Sequence, residues 1–515
     1  TTATETNNIA IGVNAGLVIT TGVRNTLVGG SSGDSITDAD NNTGLGFNTL
    51  ITNVLGSKSV AIGSFALEAQ NPATATDMHN VAVGVSAGGG VTTGIRNTLI
   101  GSEAGDAITT GNNNVAVGKD ALGTNQQGSA NIAIGRLALG TMNPATASNT
   151  YNTAVGGDSG FSVTTGTDNT FVGGLSADAL TTGSNNVVVG AGALGADTQG
   201  SGSVAIGRLT LAAQNFTTAT TSNNVAVGEE AGNDITTGTS NTLIGAKAGD
   251  ALTDADQNVA LGTNALATDT LGSRSTALGE GALLFQNFTT ATNSLNVAVG
   301  FQAGLSITTG TQNTIVGSNA GDAATTGVGN SMLGMEAGSN LTTGGNNLFL
   351  GHDAGITGSP GGNFTTESGN IVLGDENINN AYVQVSFNVV SDERDKTDFA
   401  DLDLGLNFVK ALEPVTYYWD KRSKYGDKYA DDYDLNAQTP DGTHKEDWMD
   451  VGFKAQSVLS LEEAAGYKIE DKKNLISSLT PDGKQYSLKY EKLIPVLVKA
   501  IQELSAEVEK LKSGG

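Results

Sequence analysis

The sequence predicts a mostly β protein: a parallel β-solenoid of the β-roll kind, about 21 coils of 17 residues in a 72-residue super-repeat, then a small α+β domain ending in a coiled-coil helix. Three observations carry this reading. A five-residue element, Asn-x-x-(Val/Ile/Leu)-Gly, recurs 21 times between Asn8 and Gly374. The composition suits stacked turns better than a globular core, with 71 Gly and only 5% aromatic residues. Charge density also changes after Val390: residues 1–390 hold 8 Lys/Arg and 27 Asp/Glu, leaving 18 and 25 of the totals of 26 and 52 for the last 125 residues.

The element steps along the chain by 17, 17, 17 and 21 residues, and this set recurs; only the final gap, 23, differs. Its first position is Asn in most copies, among them Asn8, Asn25, Asn80, Asn152, Asn224 and Asn296, with Ser in a few. Its fifth is always Gly, as at Gly12, Gly84, Gly156, Gly228 and Gly300. Positions two and four share one face of a short strand, and position three, often Ala, faces the other way. Seventeen residues cannot bury a core alone, but stacked coils can share one. The Asn column is expected to form a ladder of stacked amides, and the Gly column to mark a bend with positive φ. At about 4.8 Å per coil the stack would make a rod on the order of 100 Å long. These columns build the shaft and carry no chemistry.

The repeats resemble the left-handed parallel β-roll head of trimeric autotransporter adhesins, which shares the Asn-x-Val-Ala-Ile-Gly strand. The resemblance covers roughly residues 8–375 and implies a trimer of rolls packed side by side. Every fourth coil carries extra residues in related segments: Gln70-Asn71-Pro72, Met142-Asn143-Pro144, Gln214-Asn215-Phe216 and Gln286-Asn287-Phe288. Loops on a rigid scaffold are favoured binding places, so Asn71, Asn143, Asn215, Phe216, Asn287 and Phe288 are candidate receptor contacts, spaced by roughly 19 Å along one edge.

Four segments beyond the shaft stand in a telling order: Ser391-Asp392 with Lys396, Leu412-Glu413-Pro414-Val415-Thr416-Tyr417-Tyr418-Trp419, Gly452-Phe453-Lys454-Ala455-Gln456, and Tyr490-Glu491-Lys492-Leu493-Ile494-Pro495. They resemble the intramolecular chaperone domain at the C-termini of phage tailspikes, tail fibres and endosialidases. Lys454 departs from the family, which has an apolar residue there. The resemblance implies that Ser391 is a nucleophile, Lys396 its base and Val390–Ser391 the bond cut. By itself a Ser among acidic neighbours is more often a helix N-cap. From about Leu488 the apolar rhythm Ile494, Leu497, Ile501, Leu504, Val508 and Leu511 reads as a coiled-coil seam of about three heptads. Its residue types mildly favour two strands, whereas the resemblance implies three. The domains expected are therefore 1–380 shaft, 381–390 linker strand and cleavage junction, 391–487 chaperone and autopeptidase, and 488–515 helix.

The net charge of −26 argues against nucleic acid or an anionic membrane as partner, and no apolar run reaches the roughly 20 residues that span a bilayer. There is no Cys, hence no disulfide or thiolate site. The three His, at 79, 352 and 444, stand apart in sequence, and no metal or cofactor is expected. The turn Thr253-Asp254-Ala255-Asp256 reads as solvated rather than as a cation site. The function expected is a virion tail fibre or receptor-binding protein. Its partners would be itself as a homotrimer, a host glycan or outer-surface protein, and other virion tail proteins. The alternatives are a bacterial surface adhesin and a tailspike depolymerase, the latter lacking a visible pair of placed carboxylates.

Overall fold

The computed structural model describes residues 5–514 apart from 386, 388, 431 and 474. The protein is mostly β, a parallel β-solenoid of about 20 turns with few helices, and its final helix follows a small domain. It divides into two compact units, residues 1–312 and 313–515. Within the first, each element forms a three-residue strand that pairs in parallel with the next, as Val81–Val83 does with Thr98–Ile100. The second unit holds the strands Thr314–Val316, Ser331–Leu333, Leu348–Leu350 and Ile371–Leu373, paired in the same way.

Position three of the element, the middle residue of each strand, is the buried one in every coil but the first. Val187 and Val189 are 39% and 36% exposed, while Val188 between them is fully buried. The apolar side chains at positions two and four therefore line the outside of the sheet.

The Asn ladder is present and does more than stack. Asn25 Oδ1 accepts from the backbone N (3.0 Å) and Nδ2 (3.2 Å) of Asn42 one turn on, and Asn25 Nδ2 donates to Ala39 O (2.8 Å), closing its own coil. The pattern repeats from Asn80 to Asn97, Asn152 to Asn169 and Asn224 to Asn241. The Gly column meets two demands at once. Gly84 has φ +142°, and a Cβ there would lie 2.3 Å from Gly101 O of the next turn.

The thin core is fitted by exchange of volume. Where position three is large, the inward position six residues later is small, as in Leu27/Gly33, Leu99/Gly105 and Leu243/Gly249. Where it is Ala, that position is often Leu, as in Ala61/Leu67, Ala116/Leu122 and Ala277/Leu283. These leucines are fully buried in the left-handed region, Leu122 at φ +52°. That conformation costs a non-glycine residue roughly 1–2 kcal/mol, whereas removing a buried Leu costs about 2–5 kcal/mol. Filling the core wins.

The long fourth coil shows why its extra residues exist. In three super-repeats the ladder position is Ser, too short to bridge, and a buried Gln completes the rung. Gln214 Nε2 donates to Ser203 Oγ (3.0 Å) and Asp197 Oδ2 (2.7 Å), and its Oε1 accepts from Asn224 Nδ2 (2.9 Å). Gln286 does the same with Ser275, Asp269 and Asn296, and Gln70 joins Ser59 to Asn80. In the remaining super-repeat the rung is Asn131 and Met142 replaces the Gln. A second exchange accompanies it. Asp197 and Asp269 accept the backbone N–H of Phe216 (3.2 Å) and Phe288 (3.0 Å). Where Pro72 and Pro144 offer no N–H, the equivalent residues are Asn53 and Asn125.

This corrects one expectation. Phe216 and Phe288 are each only 5% exposed because their rings anchor the loops inward, so they cannot present themselves to a receptor. The exposed residues are Asn71, Asn143, Asn215 and Asn287 and the small residues after each anchor, such as Thr217 and Thr218.

Two outcomes test this packing. Leu122→Gly relieves the strained φ yet should lower local stability by about 2 kcal/mol, read as faster hydrogen exchange in residues 115–131; slower exchange there would refute the volume argument. Gln214→Ala should cost about 1–3 kcal/mol by stranding buried polar atoms. The triple change Asp197→Asn, Ser203→Asn, Gln214→Met, which copies the Asn131 super-repeat, should restore most of that loss in a thermal melt.

Candidate functional site

Residues beyond the solenoid form a small domain with its own core. Leu404, Phe408, Val458, Ile476, Leu493 and Val496 pack together. Three helices contribute: α1 (Leu406–Ala411), α2 (Ala455–Ala464) and α3 (Leu493–Ser513). Glu503 of α3 accepts from Leu406 N (2.7 Å) and so caps the short α1. Two antiparallel strand pairs complete the domain, Val415–Tyr417 with Asp450–Gly452 and Ser477–Leu479 with Tyr486–Leu488. The final helix begins at Leu493 rather than near Leu488, because residues 486–488 pair as a strand and 490–492 form a 3-10 turn. Lys454 is exposed at the N-cap of α2.

The keystone of this domain is Glu462, fully buried on α2. Its two oxygens take the backbone N–H groups of Leu475 (2.8 Å), Ile476 (2.7 Å) and Ser477 (2.8 Å), together with the Ser477 hydroxyl. A buried carboxylate is tolerated when donors surround it in this way.

Ser391 and Lys396 meet across one 3-10 turn, Glu393–Asp395. Asp392 caps the turn by accepting from Arg394 N (2.9 Å), and Lys396 N closes it on Glu393 O (3.1 Å). The Arg394 guanidinium and amide hold the Asp392 carboxyl below its ordinary range. Folding back over five residues places Lys396 Nζ 2.5 Å from Ser391 Oγ and 3.1 Å from Ser391 O. Thus Asp392, not Ser391, is the N-cap. Val390, Ser391 and Lys396 are all exposed, Val390 by 86%.

α3 presents two faces. Leu493, Val496 and Ala500 face the domain core. Ile494, Leu497, Ile501, Leu504, Val508 and Leu511 are all exposed, Ile501 by 63%. The six residues read as a seam thus share the side of the helix that this chain leaves uncovered.

Within its unit the domain is tied to the last solenoid turns. Lys428 Nζ bridges buried Asp353 (2.6 Å) and Glu376 (2.8 Å). Burial opposes the charge of Lys428, but hydrogen bonds to both carboxylates outweigh it and hold the ammonium well above its ordinary pKa. Tyr429 Oη donates to Asp353 (2.7 Å), Lys421 Nζ to Glu376 O (3.0 Å) and Asn363 N to Asp482 (3.0 Å). Sequence reasoning missed these contacts, since nothing in the spacing links residues 353 and 428.

Comparison with known proteins agrees with this picture. Residues 391–467 match the family model described as chaperone of endosialidase. The matched stretch opens on Ser391, includes Lys396 and ends before the strand pair 477–488 and α3. Nothing matching was found among curated proteins or solved structures. A chaperone domain of this type after a β-solenoid is consistent with a tail-fibre or endosialidase-type protein, and the family implies trimer assembly. No helix among the described residues is long and apolar enough to cross a membrane. The Asp pair at 254 and 256 is engaged by Thr237 Oγ1 (2.5 Å) and Thr239 N (2.6 Å) of the preceding turn.

Glu462→Gln keeps the size of the side chain but turns an amide toward three N–H donors. It should destabilise the chaperone domain by at least about 2 kcal/mol. Trp419 and Trp448, the two Trp of the chain, both lie in this domain. Urea unfolding followed by their fluorescence therefore reads it, and an unchanged midpoint would contradict the role given to Glu462.

Proposed function

We propose that the chain is a virion tail fibre or receptor-binding protein whose C-terminal domain drives homotrimer assembly and cuts itself off at Val390–Ser391. The observation that carries this reading is the 2.5 Å contact between Lys396 Nζ and Ser391 Oγ at the opening of the chaperone-type stretch. Neutral Lys396 takes the hydroxyl proton as Ser391 Oγ attacks the Val390 carbonyl carbon. The C–N bond breaks, the departing Ser391 nitrogen receives that proton, and Val390 is left as an ester on the Ser391 side chain. One water then hydrolyses the ester, giving a Val390 carboxylate and restoring the Ser391 hydroxyl beside a new amino terminus. The event happens once per chain.

A lysine acts as base in its neutral form, which withdrawal from water favours. Both members of the dyad are exposed in one chain, so the reading assigns their covering to neighbouring copies and puts assembly before cleavage. The open seam of α3 and the apolar outer face of the solenoid sheet, including Val187, Val189, Val259 and Leu261, support side-by-side packing of copies. The exposed parts of the fourth-coil loops, at Asn71, Asn143, Asn215 and Asn287, are the surface assigned to a host glycan or outer-surface protein. Other virion tail proteins are the remaining partners of this reading.

Denaturing gels and intact mass of freshly assembled protein test it. Wild type should give a fragment ending at Val390 and a second starting at Ser391, while Ser391→Ala and Lys396→Ala should each leave one 52.0 kDa chain. Wild type that stays whole after assembly would overturn the cleavage claim.

A further inference from the structure

The last solenoid turn gathers more negative charge than its surroundings balance. Leu350 pairs with Leu373, so His352 and Asp375, each two residues further on, fall in one column on neighbouring turns. Asp353 lies beside them and Glu376 follows Asp375. Asp353, Asp375 and Glu376 are buried, and Lys428 is the ammonium that reaches their carboxylates, touching Asp353 and Glu376. Lys421, which pairs with Glu446 (3.5 Å), meets Glu376 at its backbone oxygen (3.0 Å) rather than at its carboxylate. Asp375 also accepts from Asn377 N (3.0 Å) and Nδ2 (2.7 Å), which bring no charge; with His352 neutral, three carboxylates against one ammonium leave two negative charges uncompensated, and a buried uncompensated charge is costly.

Two further observations point to a ligand. Asp353 is 0% exposed; its Oδ2 takes Lys428 (2.6 Å) and Tyr429 (2.7 Å), but its Oδ1 has no hydrogen-bond partner, and Glu376 Oε2 is orphaned in the same way. His352 Nδ1 lies 3.1 Å from Asp353 Oδ2 and 3.7 Å from Asp375 Oδ2. One ligand atom from each of the three residues falls within 4.8 Å of the others, the one such group among the described residues. Ligands about 2.1 Å from a common ion stand roughly 3.0–3.5 Å apart, close to the two separations from His352 Nδ1.

We propose that His352, Asp353 and Asp375 bind one divalent transition-metal ion, of the Zn2+ class, at the end of the solenoid. The imidazole selects against Ca2+ and Mg2+, which prefer all-oxygen shells. The ion supplies the two positive charges the cluster lacks. Through Asp353 it also holds the anchor that Lys428 and Tyr429 grip, so it fastens the chaperone domain to the last turn. The expectation of no metal rested on the scatter of His in sequence; stacking brings together residues 23 apart that no local motif would join.

The test uses full-length chain carrying Ser391→Ala, stripped with chelator and titrated calorimetrically with Zn2+, then with Co2+ to read coordination from its visible spectrum. One ion per chain is expected, with affinity lowered at least tenfold by His352→Ala and by Asp375→Asn and unchanged by His79→Ala. His352 is 47% exposed on its side chain, so its replacement leaves the fold intact. No saturable binding at one ion per chain, equal binding by both variants, or preference for Mg2+ or Ca2+ over Zn2+ would each overturn the proposal.

Discussion

Every inner turn of the solenoid buries at least one carboxamide, and a buried amide demands partners for both its N–H groups and its oxygen. In Asn25 these demands are met by the turn ahead, the turn behind and the coil itself. The amide is therefore not an addition to a finished coil. It joins the coil's two ends and sets the register of the next. Turn length follows from this constraint, since a coil that closes on its own amide cannot absorb a residue without a compensating bond. Three of the four 21-residue coils illustrate the rule, since their additional residues come with a Gln that re-forms the rung beside a Ser; the remaining one keeps an Asn rung, Asn131, with Met142 in place of the Gln.

Hydrophobic burial is thin and repeated along the solenoid and gathered into one cluster in the chaperone domain. Ala at position three buries little area per turn, and the leucines opposite accept a strained backbone to fill the space. Such a stack gains stability mainly from neighbours, as expected of a one-dimensional array. The C-terminal domain instead has a compact cluster around Phe408 and Val458 and a carboxylate tied by backbone amides.

Much of this was legible in the sequence. A strict period with invariant Gly and near-invariant Asn reveals stacked coils because backbone demands repeat with the fold. That Ser391 and Lys396 would face each other was legible only through resemblance, since the two alone read as an ordinary turn. What escaped has physical causes. Phe216 looked like an exposed loop aromatic, but its direction depends on a bond from its N–H to Asp197, which lies one turn earlier. The co-occurrence of Ser203 with Gln214, and of Asn131 with Met142, was a readable signal that needed the super-repeats laid side by side. The Lys428 bridge was not readable, because ion pairs between remote segments leave no periodic trace.

The docking of the chaperone domain on the final turns bears on the direction in which the chain acquires order. Ribosomes deliver the N-terminal repeats first, yet the end on which the chaperone domain docks arrives last. Coils that nucleate on the docked end would zip toward the N-terminus, against the order of synthesis. Several hundred residues must then wait in an unstacked state without aggregating. A sequence with 5% aromatic residues and a net charge of −26 is well suited to that wait, because a chain poor in sticky side chains and uniformly repelled by its copies can remain dissolved until its starting edge appears.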